Sequence, residues 1–503
     1  MSRIRGMRGH LASSIVVTCA AALALPPALS PDAAAAPSPA GGRTAERAVR
    51  TYPAHPGAAT PPGGAAAIPG STQSLPLAPL TPDAPRAEPA PSGDRTLPPA
   101  AAPAQGLVRR DVRHFSLVGV VWDDPASELH GRVQVRTRAF GTTTWSPWQD
   151  VDVHNGEHAA DPGTPEGTSR RVRGSTAPLW VGDSDGVEVR VQGEADGRTG
   201  ADGRAVTAEP LPRGLHVELV DPGAEPPPQG PGPNASPVAA LTAAAAASSA
   251  ANAELAPLGA TEIPALGQEQ TRADLLATRG EGTGAAGAAD AADTGAAQGA
   301  RPYIGARPRI VTRRGWGADE GLRERDFSYT KTVKAAFVHH SASGNNYRCA
   351  QASSVIRSIY RYHVKSSGWR DIGYNFLVDR CGNIYEGRAG GVAKPVTGAH
   401  TLGFNSRSMG IAVLGSFGSA NPPAAAVKAV ARLTAWKLGL HGANPRGKTY
   451  LTSGGGNLYR KGKNVRLNVI SGHRDGFATE CPGRKLYAKL GNARATSARY
   501  QGR

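Results

Sequence analysis

AAFVHHSAS, residues 335–343, is the most informative segment for the fold of the C-terminal part. An apolar run that ends in two histidines and a polar loop predicts a buried strand reaching the edge of a sheet. Because adjacent strand residues point to opposite faces, only one of His339 and His340 can reach a given site. The stretch therefore predicts a central strand with one site histidine near its end.

Helices and strands alternate along the chain around this strand. The predicted elements are a helix within 350–366, a hairpin at 374–388, a strand at 409–417, a helix that begins after Pro423, and a strand at 467–473. The helix is inferred from apolar residues at helical spacing, and the hairpin from a turn at 381–383. This alternation predicts an α/β domain over 301–490, followed by a basic tail at 491–503.

The N-terminal half has a different pattern. Segments such as RVQVRTRAF (132–140) and VEVRVQ (187–192) alternate apolar and polar residues, which is typical of strands with one buried face. We expect an all-β accessory domain over 110–222. Residues 36–109 are rich in Pro and Ala and are predicted to be disordered, and 223–300 are predicted to be an Ala/Gly/Pro-rich linker.

The first 35 residues are predicted to be a signal peptide. Arg3, Arg5 and Arg8 precede an apolar run from about Leu11 to Leu25, and small residues follow. The run is too short to span a hydrocarbon core of roughly 30 Å. We therefore expect a secreted or cell-wall protein without a membrane span after signal cleavage.

The charge of the chain is divided unevenly. Residues 301–503 contain 34 Lys and Arg against 9 Asp and Glu, whereas the residues before them are net acidic. This imbalance predicts a polyanionic partner for the C-terminal part, and in an exported protein it favours an anionic wall polymer over nucleic acid. The alternative explanation of the positive charge is that a GC-rich genome favours Arg codons, without any polyanionic partner.

Signal cleavage would leave an odd number of cysteines, namely Cys349, Cys381 and Cys481. The simplest arrangement is one disulfide and one remaining thiol. Cys349 at a helix start and Cys381 in a nearby hairpin turn can pair, which leaves Cys481. That residue follows His473 by eight positions and could be a nucleophile, a metal ligand or a buried bystander. Two histidines and one cysteine would make the three-ligand set of a catalytic zinc site.

Residues 301–490 resemble the peptidoglycan recognition protein or type 2 N-acetylmuramoyl-L-alanine amidase family. The matching pieces follow the family's order: RRGWGADE (313–320), FVHHSAS (337–343), GWRDIGYNFLVDRCGNIYEGR (368–388), GAHTLGFNSRSMGIAVLGSF (398–417) and SGHRDGFATECPG (471–483). The resemblance implies a central mixed sheet flanked by helices. It also implies a zinc-bearing groove that hydrolyses the amide between the MurNAc lactyl group and L-Ala of peptidoglycan.

The resemblance also assigns residues. His339, His473 and Cys481 match the zinc ligands, and Cys349 and Cys381 match a disulfide found in many members. Tyr374 and Thr479 match catalytic positions. Some members bind wall fragments without cutting them and typically lack the cysteine ligand, so a non-catalytic peptidoglycan-binding module is the alternative.

Substrate contacts are predicted at four further positions. His400 is expected to line the groove, and Arg388 and Asn405 are expected to contact the stem peptide or the sugar. His363 is a candidate for proton transfer or substrate binding, and the alternative is a core histidine on a helix face.

Overall fold

The structure, a computed structural model, describes residues 70–80, 104–194, 210–224, 241–281 and 302–503. The predicted signal peptide and most of the predicted disordered segment lie outside these ranges. Within them, no helix combines the length and the apolar character needed to cross a membrane.

The N-terminal part is an antiparallel β domain. Its strands are β1 (Ser71–Pro76), β2 (Ala78–Pro79), β3 (Ala104–Trp122), β4 (Gly131–Ala139), β5 (Gln149–Val151), β6 (Gly174–Ser175), β7 (Leu179–Gly193) and β8 (His216–Asp221). In the described residues the main order is β1-β8-β3-β7-β4-β5, and β2 and β6 pair with β3. Alternate residues of β4, such as Val133 and Val135, point into the core, as their spacing predicts.

The boundaries of this domain differ from the prediction at the N-terminal side. Residues 71–76 form an edge strand that pairs along its whole length with β8, and β3 begins at Ala104 rather than after 109. The Pro-rich composition concealed β1 because its turn-like residues obscure the short alternation around Leu75. A proline is tolerated here because β1 is at the edge of the sheet.

The C-terminal part is built on a mixed sheet flanked by helices, so the predicted fold class is confirmed. Its strands are β9 (Glu262–Ile263), β10 (Ile310–Val311), β11 (Ala335–His340), β12 (Phe376–Val378), β13 (Ile384–Glu386), β14 (Ser408–Val413) and β17 (Ile470–Gly472). In the described residues the order is β17-β11-β14-β12-β13-β10-β9. The strands β17, β11, β14 and β12 are parallel to one another, so their carboxyl ends meet at one edge. Strands β15 (Lys448–Thr452) and β16 (Asn464–Asn468) form a separate hairpin.

Helices cover both faces of this sheet. They are α1 (Ala243–Ala250), α2 (Gln268–Glu281), α3 (Ala352–Arg361), α4 (Ala424–Leu440), α5 (Arg484–Tyr487) and α6 (Leu490–Gln501). Helix α3 continues into a π-helical turn, Tyr362–Ser366. The core on the α4 face is closed by α6, where the buried Gln501 side chain donates to Ala435 O. The segment 491–503 is therefore not a separate tail as predicted, because Leu490–Gln501 forms a helix that packs on α4.

The predicted linker over 223–300 is also wrong for residues 241–281. Strand β9 pairs with β10 and extends the mixed sheet, and Ala256, Ile263 and Leu275 are buried in its core. The Asn252 side chain donates to the buried Glu386 carboxylate at 2.9 Å. Composition misled here because alanine has the highest helix propensity and also dominates low-complexity linkers.

The β domain packs directly on the face of the C-terminal domain that carries α3. Leu117, Val121, Trp180 and Val220 from the β sheet share one apolar core with α3 and the turn after it. The Tyr362 hydroxyl, fully buried in that turn, donates to Thr176 O of the β domain at 3.1 Å. This apolar contact holds the loop between β5 and β6 beside the carboxyl ends of the mixed sheet.

Candidate metal centre

Two histidines are placed by the parallel pairing of β11 and β17. Val338 is in register with Gly472, so the residues that follow them in the chain, His339 and His473, lie at the same sheet edge. His340 points away, and its Nδ1 accepts a hydrogen bond from Phe417 N at 3.3 Å. The structure thus brings together the two histidines that the resemblance assigned, and both are fully buried.

Cys481 completes this group from the loop after β17. Its Sγ lies 3.7 Å from His339 Nδ1, and its backbone carbonyl accepts from Arg474 N. The other ring nitrogen of His339, Nε2, lies 3.4 Å from Thr401 Oγ1, which fixes the ring and turns Nδ1 toward the cysteine. Such a partner behind a ligand histidine is usual in metal sites.

A fourth donor comes from the β domain. His158 ends a short 3₁₀ turn, Gly156–His158, and its ring centroid lies 4.5 Å from that of His473 and 5.3 Å from that of His339. One donor atom from each of His158, His339, His473 and Cys481 lies within 4.8 Å of the others. Nothing in the sequence marked His158, because it sits in a loop without periodicity in the other domain.

The donor set fits a zinc ion. Zn²⁺ takes nitrogen and sulfur ligands at about 2.0–2.3 Å, and a tetrahedral arrangement keeps such donors roughly 3.3–3.7 Å apart. Both ring nitrogens of His158 and of His473 are buried and have no hydrogen-bond partner among the described residues. Buried polar atoms rarely remain unpaired in a folded protein, and an ion between these rings would account for one nitrogen of each. The backbone of Asn155 lies near the His158 ring, and the backbone of Glu157 lies near the His473 ring.

The electrostatics of the site agree with this fit. Burial lowers the pKa of His158 to about 3, and it lowers the pKa of His339 and His473 well below the usual range, so these rings are neutral and able to ligate. Burial raises the pKa of the Cys481 thiol. A thiolate in this environment requires a nearby cation, which a bound metal supplies.

Tyr374 and Thr479 both border the cluster. The Tyr374 ring centroid lies 5.5 Å from that of His339, and burial raises the pKa of its phenol, so it acts as a hydrogen-bond donor and not as a base. Thr479 Oγ1 accepts from Cys481 N at 3.1 Å and donates to Glu157 Oε1 at 2.8 Å. Glu157 belongs to the β domain, so the hydroxyl predicted to be catalytic is engaged by the other domain.

The four predicted substrate residues fall into two groups. His400 Nδ1 lies 3.0 Å from Thr401 Oγ1, and His363 stacks on Trp369 at 4.4 Å between ring centroids. His363 also accepts from Gly373 N at 3.3 Å, which agrees with the core-histidine alternative. Arg388 and Asn405 instead face the β domain, where they pair with acidic side chains.

Away from the cluster, a disulfide joins Cys349 and Cys381 as predicted. It ties the start of the helical segment before α3 to the turn between β12 and β13. Cys481 is the one free cysteine in the described part of the chain.

Known proteins resemble the two domains separately. Residues 64–213 match a family described as Rv3811 N-terminal galactose-binding domain-like, and residues 329–484 match the N-acetylmuramoyl-L-alanine amidase family. The peptidoglycan-recognition protein SC2 of Drosophila simulans is 33% identical over 183 residues, covering 36% of this chain and 84% of the relative. The N-acetylmuramoyl-L-alanine amidase of Homo sapiens is 38% identical over 128 residues, covering 24% of this chain and 21% of the relative.

One solved structure also matches part of this chain. It contains peptidoglycan recognition protein-LE in complex with tracheal cytotoxin, a monomeric diaminopimelic acid-type peptidoglycan. The sequences are 31% identical, and the match covers 36% of this chain and 92% of that chain, with a TM-score of 0.29.

A mixed sheet with two histidines at the ends of neighbouring strands and a cysteine on the following loop defines a class of α/β domains whose donor groups could hold a metal ion. Through this domain the chain belongs to the peptidoglycan recognition protein and type 2 N-acetylmuramoyl-L-alanine amidase family. The resemblance inferred from the sequence motifs is confirmed.

Proposed function

We propose that this protein is a secreted, zinc-dependent N-acetylmuramoyl-L-alanine amidase that cleaves peptidoglycan. The observation that carries the proposal is the convergence of His339, His473 and Cys481 at one sheet edge in a chain of this family. The cysteine matters most, because a peptidoglycan-binding module that does not cut has no chemical need for a third metal ligand. Peptidoglycan is the proposed substrate, as the names of the relatives suggest.

Zinc, when bound by these residues, would polarise the lactyl carbonyl and lower the pKa of the attacking water to roughly 7. The chain's own residues would stabilise the developing oxyanion and orient the metal ligands. Tyr374 is a neutral donor beside His339, suited to hydrogen-bond the oxyanion that develops on the carbonyl. Thr479 can take the same role once its hydroxyl is released from Glu157. Thr401 holds the His339 ring in its ligating orientation.

The reaction adds the elements of water across one amide. The lactyl carbon gains the hydroxyl, and the departing L-Ala nitrogen gains the proton, so each cleavage frees one stem peptide with an amino-terminal alanine. Arg388 and Asn405 are proposed to contact the substrate, because both line one cleft of about 450 Å³. The predicted affinity of the basic surface for anionic wall polymers stays a prediction, as do export and the signal peptide.

Digestion of purified peptidoglycan tests the proposal. The zinc-loaded chain and its His158→Ala variant, which lacks the β-domain donor, are incubated with intact sacculi, and Cys481→Ser forms of both serve as controls. We expect soluble stem peptides with free N-terminal alanine and no new reducing sugar ends. New reducing ends would instead indicate a muramidase. Sacculus binding by all forms without soluble products would indicate the non-catalytic binding module.

A further inference from the structure

The loop between β5 and β6 covers the group formed by His339, His473 and Cys481. We call residues 155–171 the covering segment. It begins at Asn155, whose Nδ2 donates to Ser175 Oγ of β6 at 3.0 Å, and it runs over the carboxyl ends of the mixed sheet. Its backbone is joined to the C-terminal domain as well, since Leu402 N donates to Glu157 O at 2.8 Å.

His158 of this segment lies close enough to His339, His473 and Cys481 to share a metal ion with them. A catalytic zinc keeps three protein ligands and one exchangeable position, whereas a structural zinc has four protein ligands. His339, His473 and Cys481 are the first kind of set, and adding His158 converts them into the second kind. His158 is 4% exposed, and within the described residues its ring nitrogens have no partner other than the nearby Asn155 backbone, so one of them remains available to a metal ion.

We propose that His158 is a fourth zinc ligand and that the covering segment thereby keeps the enzyme latent. This inference rests on the proposed function, because latency has meaning only for an enzyme. It extends that function by assigning the β domain an inhibitory role at the catalytic centre.

Three acidic residues of the segment reinforce the closure. Glu157 accepts the hydrogen bond of Thr479 at 2.8 Å, and Asp161 Oδ1 accepts from Asn405 Nδ2 at 2.7 Å. Glu166 forms a bidentate pair with Arg388, with both N–O distances at 2.8 Å. The segment therefore engages the catalytic hydroxyl and both polar groups proposed to hold the substrate.

A cleft beside the covering segment supports the same conclusion. A cleft of about 450 Å³ is bounded on one side by residues 160–166 and on the other by residues that include Arg388, Asn405 and Tyr329. A peptide that enters this cleft meets the Glu166–Arg388 pair. To bring its amide to the metal donors, it has to displace the segment.

The kinds of contact indicate which part moves. The β domain is anchored on α3 by buried apolar side chains, whose separation would expose them to water. The covering segment instead holds the groove by hydrogen bonds and ion pairs, which water or substrate groups can replace. Displacement of the segment alone is therefore easier than separation of the domains.

Zinc K-edge X-ray absorption on the full chain tests the ligand directly. We expect three imidazoles and one sulfur in the wild type, and two imidazoles, one sulfur and one water oxygen in His158→Ala. Competition with a chelator should show that the variant binds zinc at least about tenfold more weakly. His154→Ala removes an exposed histidine of the preceding loop and should leave the wild-type spectrum unchanged.

The peptidoglycan assay tests latency with the same three proteins. His158→Ala should release stem peptides about tenfold or more faster than the wild type, since the competent fraction rises, while His154→Ala should equal the wild type. A wild-type spectrum with two imidazoles would overturn the ligand assignment without needing any variant to fold. A His158→Ala rate at or below that of the wild type would overturn latency. If the spectra are as expected but no form cleaves peptidoglycan, the ligand assignment stands and the proposed amidase activity fails.

Discussion

Cys481 and the Cys349–Cys381 disulfide have different roles, one as a proposed metal ligand and the other as a covalent cross-link. Cys481 is buried among three histidines, whereas the disulfide closes a separation of 32 residues away from the cluster. We expect Cys481→Ser to lose zinc and hydrolysis while keeping most of its stability. Cys349→Ser should keep zinc but lose about 2–5 kcal/mol of the free energy of unfolding.

Metal analysis and urea unfolding of both variants check this assignment, with the wild type beside them. Cys481→Ser should lose zinc and keep most of its free energy of unfolding, whereas Cys349→Ser should keep zinc and lose free energy of unfolding. A Cys481→Ser protein that retains one zinc per chain would contradict the ligand role.

Glu386 is a buried carboxyl whose protonation should be visible in stability. Burial raises the pKa of Glu386 to about 7, even though Asn252 and the Arg313 backbone N–H donate to its oxygens. The ordinary value is 4.5. Between these two values the folded chain retains a proton that the unfolded chain has released, so this stabilising contribution is complete below about pH 4.5 and is lost as pH rises through about 7.

The variant Glu386→Gln cannot titrate and should lack this loss. Relative to the wild type, its free energy of unfolding should rise by up to about 3 kcal/mol between pH 5 and pH 8. Chemical unfolding at several pH values measures the difference, whatever constant offset the amide introduces. Parallel pH profiles of the two proteins would show that the carboxyl stays ionised in the folded state.

Strand β9 shows how a short element can decide where a domain begins. It contains only two residues, yet Ile263 is fully buried, and its neighbour Glu262 is exposed and forms an ion pair with Arg309. We expect Ile263→Ala to cost about 2–5 kcal/mol, because it removes a packed side chain from the core. Glu262→Ala should cost less than about 1 kcal/mol, as is typical of surface pairs.

Thermal or urea unfolding of the full chain compares the two variants. Equal and small effects would mean that residues 241–281 behave as a linker after all. The physical point is that an edge strand can be part of a sheet through one buried side chain, which no composition average reveals.

At the scale of the molecule, sequence patterns predicted the parts that obey local rules. The apolar run before His339 predicted β11, and the motif around His473 and Cys481 predicted their convergence once the family resemblance was recognised. These features depend on the period of a strand and on motifs within one domain. The disulfide followed from the same local reasoning.

The features that could not be predicted depend on contacts between domains. His158, Glu157, Asp161 and Glu166 lie in a polar loop whose own sequence contains neither periodicity nor a metal-binding motif. These residues reach the site only because the apolar face around Trp180 packs on α3 and places the loop over the sheet edge. Thr401 was also missed, although its position beside His400 could have suggested it.

The covering segment has a further consequence because it belongs to the same polypeptide as the site it covers. A separate inhibitor dissociates when it is diluted, whereas a tethered group keeps an effective concentration that is independent of how many molecules surround it. A latent enzyme of this design would stay closed when it spreads into the large volume outside a cell. The covering segment would leave the site only through a change in the same molecule, such as cleavage of the chain within 155–171 or binding of a wall fragment that competes for Arg388.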